Sequence, residues 1–462
     1  MKDIKLEEFM CNTVYHENAI SHAYEKGMGW NAMNVFMQPE SWEILAEKIF
    51  NGEYETKPPV IHYLDKNNGN SINYEQAVKV DFENVRELYV MDKLDRVVWN
   101  TFYQIYYEKY NHLIHENCVS YKRKVSTGKV VKELSRKMNE LKYYKGYKID
   151  ISKFFDKVNR ETLFKTLDEI SDNSKIDQVV KRFFNDDRVI INGEDVNRYK
   201  SLAQGCAMGC LLADLCLRDI DEVLSNMDII YYRYSDDIIM LGKDSTKAMY
   251  TLNLMLKDKG LELNPKKIEY LNAENEWFDF LGFKLKKDLI TMSSKKVKSI
   301  KNKIKEITIT YARTVKRPCT KTEIKRMISQ IQWYFFTAFE QSKENFGVGN
   351  YLFATVNVDI DIERIETYIR DCLRACYTGK KEIYGIGSTN DRKDYTIPFV
   401  TGKNVSMNYI KTHNDSFVGG DLLIECGWYS LTHMKKCFFN GHSVYQGEVR
   451  KIANRIPIKL AI

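Results

Sequence analysis

Three aspartates in this chain sit where an aspartate is costly. Asp236 and Asp237 stand side by side between the apolar runs Ile229-Ile230-Tyr231-Tyr232 and Ile238-Ile239-Met240-Leu241. Two β-prone runs around Tyr234-Ser235-Asp236-Asp237 predict a tight hairpin with a polar tip. Adjacent carboxylates raise each other's pKa unless a cation lies between them. By itself an Asp-Asp pair reads as a solvated turn, but Asp150 lies upstream within Ile149-Asp150-Ile151, on a short strand that turns towards a helix. A carboxylate in a buried strand needs a partner or a metal. Asp150, Asp236 and Asp237 together therefore read as a site for two Mg²⁺ ions, with Mn²⁺ the alternative, since Mg²⁺ takes carboxylate oxygen and keeps places for water and phosphate. Two such ions can activate an attacking hydroxyl and stabilise a leaving pyrophosphate.

The elements that must position these residues follow from pattern. The chain has 462 residues and a net charge of +7, enough for several subdomains and suited to a polyanionic partner. No apolar run is long enough to cross a membrane and Met1-Lys2-Asp3-Ile4-Lys5 lacks the apolar core of a signal peptide, so a soluble, cytoplasmic protein is expected. The ten cysteines form no paired Cys-x-x-Cys sites, which argues against zinc. Helices are expected over Glu7 to Lys26 and from a Ser41 cap through Ile49. Two strands should flank a flexible tip at Lys66-Asn67-Asn68-Gly69-Asn70, another strand should cover Val85 to Val90, and a helix should run from Asp95 towards Tyr110. Asp156 reads as a cap for a helix from Arg160 to Ile170. A long apolar helix is expected from Leu211 to Leu224 and another helix from Glu363 to Tyr377.

The motifs, in this order, resemble those of reverse transcriptases. Asp150 with Phe155 is similar to motif A, Ala203-Gln204-Gly205 to motif B, Tyr234-Ser235-Asp236-Asp237 to motif C, Gly260 to Lys267 to motif D, and Phe280-Leu281-Gly282-Phe283 to the primer grip. The resemblance implies an α+β right-hand polymerase: an N-terminal helical extension and the start of the fingers over residues 1–77, fingers over 78–145, an antiparallel palm sheet with helices on one face over 146–290, and a helical thumb over 291–379. Residues 380–462 form a C-terminal region with no assigned role.

The resemblance also implies roles. Asp150, Asp236 and Asp237 are catalytic carboxylates, with Ile151 included beside them in the metal set. Lys267 matches the motif D lysine that protonates pyrophosphate, with Lys266 its rival. Among Lys122, Arg123 and Lys124 a cation should meet the triphosphate. Phe155 should exclude a 2′-hydroxyl, and Gln204, Gly205 and Tyr234 should contact substrate. Lysines from Lys295 to Lys305 resemble a thumb that tracks duplex phosphates, and Trp333-Tyr334-Phe335-Phe336 reads as thumb core.

Motif B lacks the proline before Gln204 and the Thr-Ser-Pro that often follows, and retron, group II intron and diversity-generating signatures are absent or altered. Elimination leaves the bacterial defence-associated and abortive-infection group. The expected activity is RNA-directed DNA synthesis on an RNA template, such as a dedicated non-coding RNA, with a primer duplex and dNTPs. An accessory protein or a second copy of the chain are candidate partners. Template-independent or protein-primed synthesis by the same site, a diversity-generating-type enzyme, and an idle RNA-binding scaffold are the alternatives. The tail tyrosines Tyr409, Tyr429 and Tyr445 are the expected donors if the protein primes itself.

Overall fold

The structure is a computed structural model that describes residues 13–25, 29–66, 69–123, 125–171, 173–315, 318–336, 348–378, 430–432 and 434–435. Lys124 and the tail tyrosines lie outside these residues. The chain divides into two compact units, Met1–Val125 with Tyr143–Asn272 and Ser126–Lys142 with Ala273–Ile462. Among the described residues no helix is long and apolar enough to cross a membrane.

The first unit holds two sheets. Strands β1 (Val60–Asp65), β2 (Ser71–Ile72), β3 (Val85–Val90), β5 (Arg188–Ile191) and β6 (Glu194–Asn197) make the first, in which β1 pairs antiparallel with β2 and β3. The second runs in the order β7 (Ile229–Tyr234), β8 (Asp237–Gly242), β4 (Lys145–Asp150), β9 (Glu269–Asn272), and every neighbour is antiparallel. The helices Arg218–Ser225 and Ser245–Asp258 pack on this sheet and on each other. The α+β expectation holds, as does the hairpin at 234–237.

A helix boundary matters most here. The long helix expected from Leu211 is two, Ala207–Cys216 and Arg218–Ser225, broken at Leu217. The break turns Asp214 and Asp221 towards one side chain, Arg233 of β7. Arg233 bonds Asp221 through Nε at 2.7 Å and Nη2 at 2.6 Å, and Asp214 through Nη1 at 3.0 Å. The three side chains are 0%, 0% and 1% exposed. Tyr231 adds a hydroxyl to Asp221 at 2.7 Å. Burial works against the guanidinium charge, yet Asp221 and its neighbours hold the Arg233 pKa well above its ordinary value. Burial likewise pushes the Asp214 carboxyl up.

This cluster also grips the segment before it. Arg233 donates its N–H to the Asn117 carbonyl at 3.0 Å and accepts from Val119 N–H at 2.8 Å. Ser120 Oγ donates to Asp214 at 2.7 Å and accepts from Ser235 N–H at 3.1 Å.

Other expectations shift slightly. The second helix is Pro39–Phe50, beginning two residues before Ser41 because Pro39 fits the first turn, where no N–H is needed. Asn159, not Asp156, caps Arg160–Ile170, by accepting from Thr162 N–H at 2.7 Å; Asp156 lies inside the short helix Phe154–Lys157.

In the second unit, β10 (Phe278–Phe280), β11 (Phe283–Lys286) and β12 (Leu289–Met292) form a meander. The helix Thr127–Leu141, within the residues expected to be fingers, clusters with this unit. Ser294–Lys305 is a helix, followed by a π-turn at Glu306–Thr310. Its exposed lysines are Lys295, Lys298 and Lys305, on one stripe; Lys301 is half-buried over the Tyr368 ring and Lys303 pairs with Glu306. Phe335 and Phe336 are core, as expected.

Removing one partner of a buried ion cluster leaves an uncompensated charge and costs about 3–5 kcal/mol. Asp221→Asn should therefore lower stability by about that amount in urea unfolding monitored by circular dichroism. A loss below about 1 kcal/mol would mean that water, not Asp221, satisfies the guanidinium.

Candidate active site

The carboxylates meet at one end of the second sheet. Asp150, the last residue of β4, lies directly opposite Asp237, the first of β8, and Asp237 lies opposite Tyr234. Cross-strand neighbours share a face, so Tyr234, Asp237 and Asp150 line up across one face of the sheet. Arg233 alternates to the other face, towards the two helices. Ser235 and Asp236 are the turn itself, and Ser235 takes a left-handed φ of +58°. Its N–H bond to Ser120 ties that turn to the buried arginine cluster. Ile151 donates its N–H to the Asp236 carbonyl at 3.1 Å, and Asn264 donates to the Asp150 carbonyl at 2.9 Å.

The charges in this cluster are out of balance without a cation. Asp150 is 6% exposed, and its Oδ2 accepts from Lys267 Nζ at 2.6 Å. Burial, and then the neighbouring Asp150, push the Asp236 carboxyl up to about 6. Among the described residues no three acidic, His or Cys side chains converge tightly enough to hold an ion as they stand. The lysine ammonium stands where a cation would relieve Asp150. The donor set, all carboxylate oxygen, suits a hard divalent ion.

Other expected site residues fall into two groups. Phe155 is half-buried and meets the core ring of Phe154 edge-on at 5.7 Å. Gln204 accepts Tyr89 N–H at 2.8 Å through its carbonyl. Gly205 has φ +110°, and a Cβ there would lie 3.1 Å from the Tyr89 carbonyl oxygen, so only glycine suits this turn. Among the described residues no bond joins Lys122 or Arg123 to the carboxylates. Lys122 Nζ donates to the His115 carbonyl at 2.9 Å, and Arg123 pairs with Glu108 at 2.6 Å over the Tyr107 ring. Lys267 touches Asp150, whereas Lys266 donates its backbone N–H to Asn264 Oδ1 at 3.2 Å.

Cations that sequence reading missed gather elsewhere. The Lys66 ammonium is held below its ordinary value by partial burial and by Arg86, Lys153 and Lys267. Asp156 offsets part of this like charge, and the ammonium donates to the Glu83 carbonyl at 2.7 Å. The pairing of β1 with β3, which the sequence reading did not join, sets Leu64 opposite Arg86 and so brings Arg86 near the tip that carries Lys66.

The raised Asp236 pKa has a definite sign for stability. A carboxyl near 4 when unfolded and about 6 when folded favours folding when protonated, so its contribution is full below about pH 4 and lost as pH rises through about 6. Asp236→Asn removes this penalty. In EDTA it should stabilise the protein by up to about 3 kcal/mol at pH 7.5 and by almost nothing at pH 4, read by thermal unfolding at both pH values. Equal effects at the two pH values would overturn the assignment of the charge imbalance to Asp236.

Residues 81–285 match the sequence model of the family described as "Reverse transcriptase (RNA-dependent DNA polymerase)". No curated protein matches the chain. Solved structures with similarity include apo telomerase from Candida tropicalis truncated from its C-terminal domain, at 17% identity and a TM-score of 0.37, covering 55% of this chain and 60% of that one. Telomerase from Candida albicans in complex with a TWJ fragment of telomeric RNA matches at 12% identity and a TM-score of 0.33, over 65% of this chain and 58% of that one. The chain thus spans about 60% of the length of the telomerase chains it matches. With the family match spanning the three carboxylates and the Gln204-Gly205 turn, the chain carries a reverse transcriptase domain over residues 81–285.

Proposed function

We propose that this protein is an RNA-directed DNA polymerase that joins dNTPs to a primer 3′ end along an RNA template. The observation that carries the reading is Asp150 opposite Asp237 with Asp236 in the adjoining turn. Asp150, Asp236 and Asp237 would hold Mg²⁺ or Mn²⁺, which when bound supplies charge stabilisation at the transferring phosphoryl group. The remaining roles belong to the chain itself. Lys66, Arg86 and Lys153 would hold triphosphate oxygens, and Lys267, beside Asp150, would hand a proton to the leaving pyrophosphate. Phe155 would bar the 2′-hydroxyl with a ring kept half in solvent. In the second unit, Lys295, Lys298 and Lys305 form a stripe suited to duplex phosphates. The motif pattern's resemblance to the bacterial abortive-infection group supports a role in antiphage defence.

Primer extension tests the activity. With an RNA template, a DNA primer, dNTPs and Mg²⁺, the unaltered protein should extend the primer, and Asp236→Asn should lower the rate by orders of magnitude. Extension equal in the variant, or equal with the template left out, would overturn the reading. For sugar choice, Phe155→Val should raise rNTP use relative to dNTP use in the same assay, because ring volume leaves the space the 2′-hydroxyl needs. An unchanged ratio would reject the steric role.

A further inference from the structure

Beside the carboxylates stands a residue for which the reaction as described has no use. Tyr121 is a bulky side chain on a left-handed backbone, with φ +50°. Such strain persists only where the surroundings over-determine it, and it concentrates at functional sites. The surroundings here are explicit. Residues 117–119 are bonded along Arg233 on β7, and Ser120 is bonded to both Asp214 and Ser235. The reversal at Tyr121 then brings its ring against that of Tyr234, 5.7 Å between centroids at 45°. Its hydroxyl lies beside Ser235 and Cys210. A ring fixed from three sides would be expected in the core, yet Tyr121 is 36% exposed and Tyr234 is only partly buried beside it.

Strand order gives this ledge a direction. Across the sheet the sequence is β7, β8, β4, β9. At the site end this places Tyr234 first, then Asp237, then Asp150, and then Lys267, which leads into β9 and bonds Asp150. Aromatic rings therefore flank the carboxylates on one side and cations flank them on the other. A triphosphate belongs with the cations. The strand whose 3′-hydroxyl attacks must approach from the opposite side, where the rings are, and a base stacks on an aromatic ring whatever its sequence.

We propose that Tyr121, with Tyr234, forms the seat for the 3′-terminal base of the strand being extended. Tyr121 is a positioning residue: it aims the terminal hydroxyl by holding its base, and it touches no reacting atom. The proposal rests on the polymerase reading above.

The test uses the full-length protein and a primer–template carrying 2-aminopurine at the primer 3′ end, without dNTP, so that no chemistry is involved. Stacking should quench the fluorophore when the unaltered protein binds. Tyr121→Phe keeps the ring and should keep the quench. Tyr121→Gly removes the ring at a backbone angle that glycine prefers, so the fold is retained and the quench should be lost. In primer extension Tyr121→Gly should raise primer KM roughly ten-fold, the order expected for one lost base stack, and by a larger factor than it lowers kcat. A quench that survives in Tyr121→Gly would overturn the proposal. A quench seen only with the fluorophore in the template strand would overturn it too, by making the occupant a template base. If the unaltered protein binds no primer–template at all, the polymerase reading fails first; binding and extension without a ring-dependent quench would sink only the seat.

Discussion

A guanidinium with 0% exposure is the constraint on which the site depends. Desolvating Arg233 would cost several kcal/mol if it were unpaired, so every element carrying a partner must arrive in a fixed place. Asp214 and Asp221 come from two helices split at Leu217, and Ser120 from the segment preceding the helix Thr127–Leu141. Because Arg233 stands one residue before Tyr234, holding Arg233 also holds the hairpin that carries Asp236 and Asp237. Its Nη1 reaches the Ser235 carbonyl at 3.2 Å, and Ser120 takes the Ser235 N–H. The turn is clamped from both of its backbone groups. Such rigidity is what an array of like charges requires, since carboxylates on a loose turn would swing apart.

The two faces of β7 and β8 thus do opposite electrostatic work. Below the sheet, Arg233 bonds two carboxylates, each of which also accepts a hydroxyl, from Tyr231 or from Ser120, so every charge there has a direct partner. Above it, Lys267 bonds Asp150, and burial together with Asp150 pushes the carboxyl of Asp236 up to about 6. A two-residue turn is a natural place for this contrast. Period-two alternation sends Arg233 down and Tyr234 up, and one residue of slip would exchange them.

How much of this could be read from sequence depends on whether the signal was local. The hairpin and Val85–Val90 were legible because alternation and apolar runs are local patterns, and Asp150 was legible because a carboxylate interrupts such a run. The arginine cluster was not read, although its parts were visible: Arg233 in an apolar strand, Asp214 directly after Ala207-Met208-Gly209-Cys210-Leu211-Leu212-Ala213, and Asp221 seven residues on. Each buried charge looked like an anomaly alone, and only the break at Leu217, invisible to periodicity, joins them. Lys122 and Arg123 are held locally for a related reason. A basic run after Tyr121 suggests a phosphate site, but local carbonyls and Glu108 take up both cations. The Lys66 cluster is assembled by strand pairing across more than twenty residues, and pairing of that kind is recognised only after the hairpin register is known.

Lys267 separates what is fixed at this site from what can move. Its side chain is 59% exposed, while that of Asp150 is 8% exposed. An ion pair with one arm in water is worth at most about 1 kcal/mol, because solvent competes for the ammonium and the long side chain loses freedom when it is held. The carboxylate has no such liberty. It ends a paired strand and its backbone carbonyl is bonded to Asn264. Any cation able to offer Asp150 more than about 1 kcal/mol can therefore take the place of Lys267 without disturbing the strand, and the lysine so released remains tethered through Ile268 to β9 at the edge of the site. The negative charges are preorganised and the positive one is replaceable, which is the asymmetry expected of a site built to receive cations.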